Sequence, residues 1–266
     1  MSSPTIYPST SQFSNYKLLE ACDLFQTAQP EGFGNCSLDH IQLCPQTPDV
    51  YSESLLDEIQ QKFPNTKFRL HANIRVKTGV QFIDASSYSK ETHWYFERIS
   101  ELSNHINAPL YSLHAGLRDK CTMKQLFQNA ECIQSIFDVP ALIEGMYPTP
   151  DNKYLVSTWK EYQILKDSGL PYAVDLSHLN IVGCTEGYNT DMIYDLIAHE
   201  NCLEIHISHN SGKADSHRPI SKTQWQELWW KESWLAALQH RSQIPQHFTE
   251  GLQKSLSHRF YSQKFQ

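Results

Sequence analysis

Glycine is scarce in this chain, with ten in 266 residues, and no G-x-G-x-x-G fingerprint follows any apolar run. A dinucleotide fold needs that close backbone approach to a pyrophosphate, so its absence speaks against one. No uninterrupted apolar run approaches the roughly eighteen residues that a membrane-spanning helix requires. The opening MSSPTIYPSTSQFSNYK lacks the basic-then-apolar pattern of a secretory signal. Cysteine pairs are missing too: Cys22, Cys36, Cys44, Cys121, Cys132, Cys184 and Cys202 stand singly, without a CxxC. An odd, unpaired set fits a reduced cytoplasmic chain better than a disulfide scaffold. The apolar settings of Cys132 and Cys202 predict small core residues there. Positive charge is also in deficit, 22 Lys and Arg against 29 Asp and Glu, for a formal net charge of -7. A nucleic-acid-binding enzyme needs a basic footprint, so nucleic acid is not the expected partner.

What is present is an ordinary globular composition, 40% hydrophobic, with an excess of histidine: 13 residues. Short apolar runs alternate with stretches at helical spacing. HIQLCP (40–45) precedes SESLLDEIQQKF (52–63), and KFRLHANIRV (67–76) precedes ETHWYFERISELSNHI (91–106). PLYSLHAGL (109–117) precedes TMKQLFQNAECIQSIF (122–137), and PALIEGMY (140–147) precedes VSTWKEYQILKDSG (156–169). PYAVDLSHLNI (171–181) precedes NTDMIYDLIAHE (189–200), CLEIHIS (202–208) precedes SKTQWQELWWKESWLAALQ (221–239), and IPQHFTEG (244–251) closes the series. Ser52 and Ser221 are suited to N-caps, and Gly169 to a helix stop before Pro171. NYKLLEACDLF reads as helix, and an eighth strand fits near Thr5, Ile6 and Tyr7.

Alternating β and α units imply a parallel sheet. Their number and the chain length favour a closed (β/α)8 barrel over an open sheet. With no linker, repeat or low-complexity tract, one domain is expected: residues 1–38 leading into a barrel over 39–266.

The ionisable residues fall at one end of these strands. His71, His114, Glu144, Asp175, His178, His206 and Glu250 lie near strand C-termini, and His209, Asp215 and His217 in the loop after His206. Barrel enzymes build their sites at that end. A single histidine there is ordinarily a hydrogen-bonded structural residue. A ligand type on one strand end after another is not easily coincidence. Burying such groups uncompensated is costly, and a divalent cation removes the cost. Mixed carboxylates and imidazoles fit zinc, iron(II) or manganese. His93, His105, His199, His240 and His258 read as solvated, whereas His40 and His247 flank strands ambiguously. Trp229, Trp230 and Trp234, at helical spacing, predict core or an oligomer face.

The order His71, His114, Glu144, Asp175-x-x-His178, His206, Asp215-x-His217, Glu250 resembles the xylose isomerase-like TIM-barrel superfamily. That group includes endonuclease IV and many sugar (phosphate) isomerases and epimerases. The most specific segment is His206-x3-Asn210-x-Gly212-x2-Asp215-x-His217, followed by VDLSHLN around Asp175. The likeness covers roughly residues 40 to 251. It implies a central metal site of Glu144, Asp175, His206 and Glu250. His71 and His114, bridged by Glu144, would hold a second ion, and His178, Asp215 and His217 a third. The chain departs from the pattern twice: His209 replaces a usual aspartate, and RPISKTQW replaces the glycines after Asp-x-His.

Three activities follow from the resemblance. The first is a metal-dependent sugar isomerase or epimerase, with Glu144, Glu250 and His209 as catalytic candidates. A second is a multinuclear non-haem iron oxidase acting on a peptide, for which Pro219 and Trp225 provide further likeness. A third is phosphodiester hydrolysis, which the net charge disfavours. A barrel that only binds a ligand or partner is the non-enzymatic alternative.

Overall fold

The computed structural model describes residues 4–13, 16–27, 35–45, 48–79, 83–220 and 227–249. Its strands are β1 (Thr5–Pro8), β2 (Asn35–Cys36), β3 (His40–Leu43), β4 (Lys67–Leu70), β5 (Tyr111–His114), β6 (Ala141–Glu144), β7 (Tyr172–Asp175), β8 (Cys202–Ile207) and β9 (Gln246–Thr249). Every ladder is parallel. One sheet runs β2-β1-β9-β8-β7-β6-β5, and β3 pairs with β4. Two bridges close the ring: His71 with Ser112 joins the end of β4 to β5, and Ser9 with Gln42 joins the end of β1 to β3. β2 and β3 follow one another along β1, so together they form the second stave. The fold is the expected (β/α)8 barrel, and the stretch at Thr5–Pro8 supplies its first strand.

Helices α1 (Leu18–Thr27), α2 (Glu53–Lys62), α3 (His93–His105), α4 (Met123–Gln134), α5 (Trp159–Asp167), α6 (Leu176–Glu186), α7 (Thr190–Ala198) and α8 (Lys231–Gln239) flank the strands. Their starts are written locally. Ser52 caps α2 through Leu55 N, Thr122 forms a capping box with Gln125 on α4, and Thr158 and Asn189 cap α5 and α7. Gly169, at φ +79°, takes the left-handed turn that ends α5. The main core lies between strands and helices, where Ile41, Phe68, Leu113, Ile143, Val174 and Ile205 are buried with the inner helix faces. A separate apolar group, Leu110, Leu142 and Ala173, forms its own cluster.

Two expectations need correction, and a third falls partly outside the described residues. The run PYAVDLSHLNI is not one strand: β7 ends at Asp175, whose Oδ1 accepts from Ser177 N at 2.6 Å and His178 N at 3.2 Å and so starts α6. Within the run 221–239 the described residues hold α8 over Lys231–Gln239, and residues 221–226, with the Ser221 cap and Trp225, lie outside the described residues. Cys202 is buried but Cys132 is exposed on α4, because the outward turn of an amphipathic helix overrides a locally apolar sequence. Trp230 and Trp234 are core, and Trp229 is half-buried against Tyr188. No described helix is long and apolar enough to cross a membrane.

Candidate metal centre

Glu144, at the end of β6 and 1% exposed, is the hub of the ionisable groups. His206 Nδ1 lies 3.1 Å from its Oε1 and His178 Nδ1 3.8 Å from the same oxygen. His71 Nε2 and His114 Nε2 approach Oε2 at 3.4 and 3.7 Å. Beside this group His178 Nε2 stands 3.5 Å from Asp175 Oδ2 and 3.4 Å from Asp215 Oδ2, and His217 Nε2 is 2.7 Å from that same Asp215 oxygen. Five strand ends, of β4 to β8, and the loop after β8 therefore converge.

One ring nitrogen of each of the four imidazoles around Glu144 faces a further polar group. His71 Nδ1 is 2.7 Å from Ser112 Oγ, His114 Nδ1 3.0 Å from the Asn73 amide, and His178 Nδ1 2.8 Å from the Gly145 carbonyl. His206 Nε2 contacts Glu204. Such outer partners fix tautomer and ring orientation in metal sites. They leave one nitrogen of His71, His114 and His206 aimed at Glu144, and Nε2 of His178 aimed at Asp175 and Asp215.

The electrostatics carry the same message. Burial opposes ionisation of Glu144, yet His206 and His71 hold its carboxyl well below the usual range. Burial likewise opposes charge on His206, but Glu144 and Glu204 on either side lift it well above an ordinary imidazole. His178 is raised in the same way, Asp175 and Asp215 outweighing its burial. Protons on His206 and His178 thus balance the carboxylates when no cation does. His71 and His114 are instead pushed down by burial, only partly offset by Glu144, which leaves neutral imidazoles of the kind that ligate metal.

Among the described residues three sets of donor atoms are close enough to share an ion: His71, His114 and Glu144; Glu144, Asp175 and His178; and His71, Glu204 and His206, in which Glu204 is already paired with Arg69. Buried Glu144 Oε2 has no hydrogen-bond donor, although two imidazole nitrogens converge on it. A buried carboxylate oxygen left that way is costly, and a divalent cation would complete it. The residues fit a metal.

Glu250 lies outside the described residues. His209 belongs to none of these donor sets; its main chain pairs with Arg218, and burial, then the Arg218 charge, push its imidazole down. In the motif after His206, Asn210 and Gly212 hold the loop in shape. Asn210 Oδ1 accepts from Gly212 N at 2.8 Å and Asn180 Nδ2 at 2.9 Å, and its Nδ2 donates to Ser177 O at 2.7 Å. Sequence reasoning missed Arg69, Ser112, Glu204 and Gln42, which lie beneath the site. Arg69, Ser112 and Glu204 are each two residues before a predicted ligand on the same strand, and that alternation was the available signal.

No protein-family model and no curated protein sequence matches this chain. Solved structures do match along nearly its whole length. A D-allulose 3-epimerase from Methylomonas sp., in complex with D-allulose, aligns at TM-score 0.60 with 14% identity, covering 93% of this chain and 85% of that one. An AP endonuclease, family 2, from Brucella melitensis aligns at TM-score 0.57 with 11% identity over 94% and 93%. A xylose isomerase domain protein from Alicyclobacillus acidocaldarius aligns at 0.58 with 11% identity over 97% and 92%. At such identities the likeness is one of fold: the chain shares the (β/α)8-barrel architecture of these proteins.

Proposed function

We propose that the protein is a divalent-metal-dependent enzyme of the sugar (phosphate) isomerase or epimerase kind, acting on a small molecule. The observation that carries this reading is Glu144, a buried carboxylate ringed by imidazoles with one oxygen lacking any donor. Fold neighbours that include a D-allulose 3-epimerase support the substrate class.

His71, His114 and Glu144 would hold one ion. Asp175 and His178 would hold a second, with Asp215 and His217 beside them. His206 presents Nδ1 between the groups, and Glu250, expected at the end of β9, would complete the central set. Zinc, iron(II) and manganese suit these donors. When bound, a divalent ion supplies Lewis-acid polarisation of adjacent sugar oxygens. Glu144, held well below the usual carboxylate range, is a weak base and serves as ligand. Burial and then the Arg218 charge lower the His209 imidazole and keep it in the unprotonated form that a proton acceptor needs, while making it a weaker base. Glu250 is the other acid–base group.

The test incubates protein purified without chelator with ketoses, aldoses and their phosphates in D2O, with added manganese, zinc or iron(II). Metal-dependent deuterium uptake at carbon beside the carbonyl, seen by NMR, is the expected result. Oxygen consumption with iron and a peptide, or phosphodiester cleavage with zinc, would replace this reading by the oxidase or the hydrolase.

A further inference from the structure

Beneath the proposed metal centre lies a buried polar layer that the reaction does not use: Gln42, Arg69, Ser112 and Glu204. Arg69 forms an ion pair with Glu204. Its Nη2 donates to Ser112 Oγ at 3.2 Å, and its Nη1 to Gln246 Oε1 at 3.2 Å. A guanidinium has only donors, so the group packed against it is an acceptor, an ionised carboxylate. Gln42 Nε2 donates to the same Glu204 Oε1 at 3.0 Å.

The consequence runs through one hydroxyl. Ser112 Oγ is 3.0 Å from Glu204 Oε1, so its single proton goes to that carboxylate. Only lone pairs remain for His71 Nδ1, 2.7 Å away, so Nδ1 must carry the ring proton. Nε2 of His71, the atom facing Glu144, then keeps its lone pair. On the other flank His206 Nε2 and Gln42 Nε2 lie 3.1 Å apart, and both contact Glu204 Oε1. An ionised carboxylate only accepts, so it takes a hydrogen bond from each, and His206 Nε2 is a donor rather than the amide's acceptor. That nitrogen keeps its proton, and Nδ1, 3.1 Å from Glu144, becomes the atom offered to a cation.

We propose that Glu204, anchored by Arg69, is a positioning residue that sets which ring nitrogen faces the metal in two histidines at once: His206 directly, and His71 through Ser112. Its purpose rests on the metal-centre reading, but its geometry does not. The barrel thereby carries a preset polarity, written in one hydrogen-bonded chain from Arg69 to the mouth.

Long-range 1H–15N NMR of the histidine side chains, on the metal-free full chain, reads this directly. Wild type shows His71 protonated at Nδ1, and His206 with a proton retained at Nε2. Ser112→Ala lets His71 populate the other tautomer while His206 is unchanged, and Ser112→Thr restores His71. The neutral pair Arg69→Met with Glu204→Gln, which keeps the buried volume and strands no charge, disturbs both rings. Zinc titration by calorimetry then shows about a tenfold weaker affinity for Ser112→Ala, the usual cost of an outer partner. Wild-type His71 protonated at Nε2, or a Ser112→Ala protein with His71 and zinc affinity unmoved, overturns the proposal. A wild type that binds no metal sinks the metal-centre reading, while the ring protons still decide this one.

Discussion

Glu144 and Glu204 are both buried inside the barrel, at 1% and 0% exposure, and both touch His206, yet they are neutralised in opposite ways. Glu204 has a built-in cation, Arg69, with Ser112 and Gln42 as donors. Glu144 is ringed by imidazoles, and no lysine or arginine pairs with it among the described residues. One carboxylate closes a structural network; the other is left for an ion from outside. The comparison teaches that burial alone does not mark a ligand. What distinguishes a ligand is a charge whose partner the chain itself does not supply.

The largest effect that would break this comparison is in the lower layer. Glu204→Ala strands Arg69 without its countercharge, which should cost about 3–5 kcal/mol in the urea stability of the metal-free protein. Replacing both partners, as Arg69→Met with Glu204→Leu, should recover most of that loss. Equal losses in the single and double variants would mean that the pair is not self-contained.

Glu144→Ala should do the reverse. It should cost less stability than Glu204→Ala in the metal-free protein, because the imidazoles around Glu144 can release a proton when it is removed, whereas the Arg69 guanidinium cannot. Metal affinity should fall by more than the roughly 100-fold that removal of an outer partner can cost. Metal content after dialysis and calorimetric titration check both halves. A Glu144→Ala protein that retains its full metal complement would erase the distinction between the two carboxylates.

The upper half of this contrast was legible in the sequence and the lower half was not, for physical reasons. His114, Glu144, Asp175 and His206 close strands or lie near their ends, and His71 directly follows one, so boundary cues locate them. Arg69 and Glu204 sit within β4 and β8, on strands distant in sequence, and nothing local shows that they meet. Only the i, i+2 alternation of Arg69 with His71 and Glu204 with His206 places each on its ligand's face. The strand-to-helix change at Asp175 was hidden for a different reason. Leu176, Ser177, His178, Leu179, Ile181, Val182 and Gly183 on α6 are all buried, so the helix has no polar face to give it a period.

A smaller effect sharpens the lower layer's charge balance through pH. His40 is buried near Arg69, and burial first, then that guanidinium, lower its pKa to about 3. An unfolded histidine titrates near pH 6.5. Between those values the unfolded chain binds the extra proton, so stability falls as pH drops from about 6.5 towards 3, by up to about 1.4 kcal/mol per pH unit from this residue. His40→Gln should flatten the measured stability profile by that slope over that window. An unchanged slope would show that the lower layer admits a second positive charge beside Arg69.

The smallest effect separates the barrel donors from the loop donors. Gly212 sits at φ +75°, and a Cβ there would meet Cys184 Sγ at 2.2 Å. Gly212→Ala should therefore cost about 1 kcal/mol in stability, from the left-handed backbone alone. It also loosens the turn, held by Asn210, that carries Asp215 and His217 towards His178. His71, His114 and Glu144 come from strand ends that this turn does not support, so a first zinc should bind as in wild type. The last zinc-binding step should weaken several-fold in calorimetry. If the first step weakens equally, the loop and the barrel mouth form one inseparable site, and the division between them is wrong.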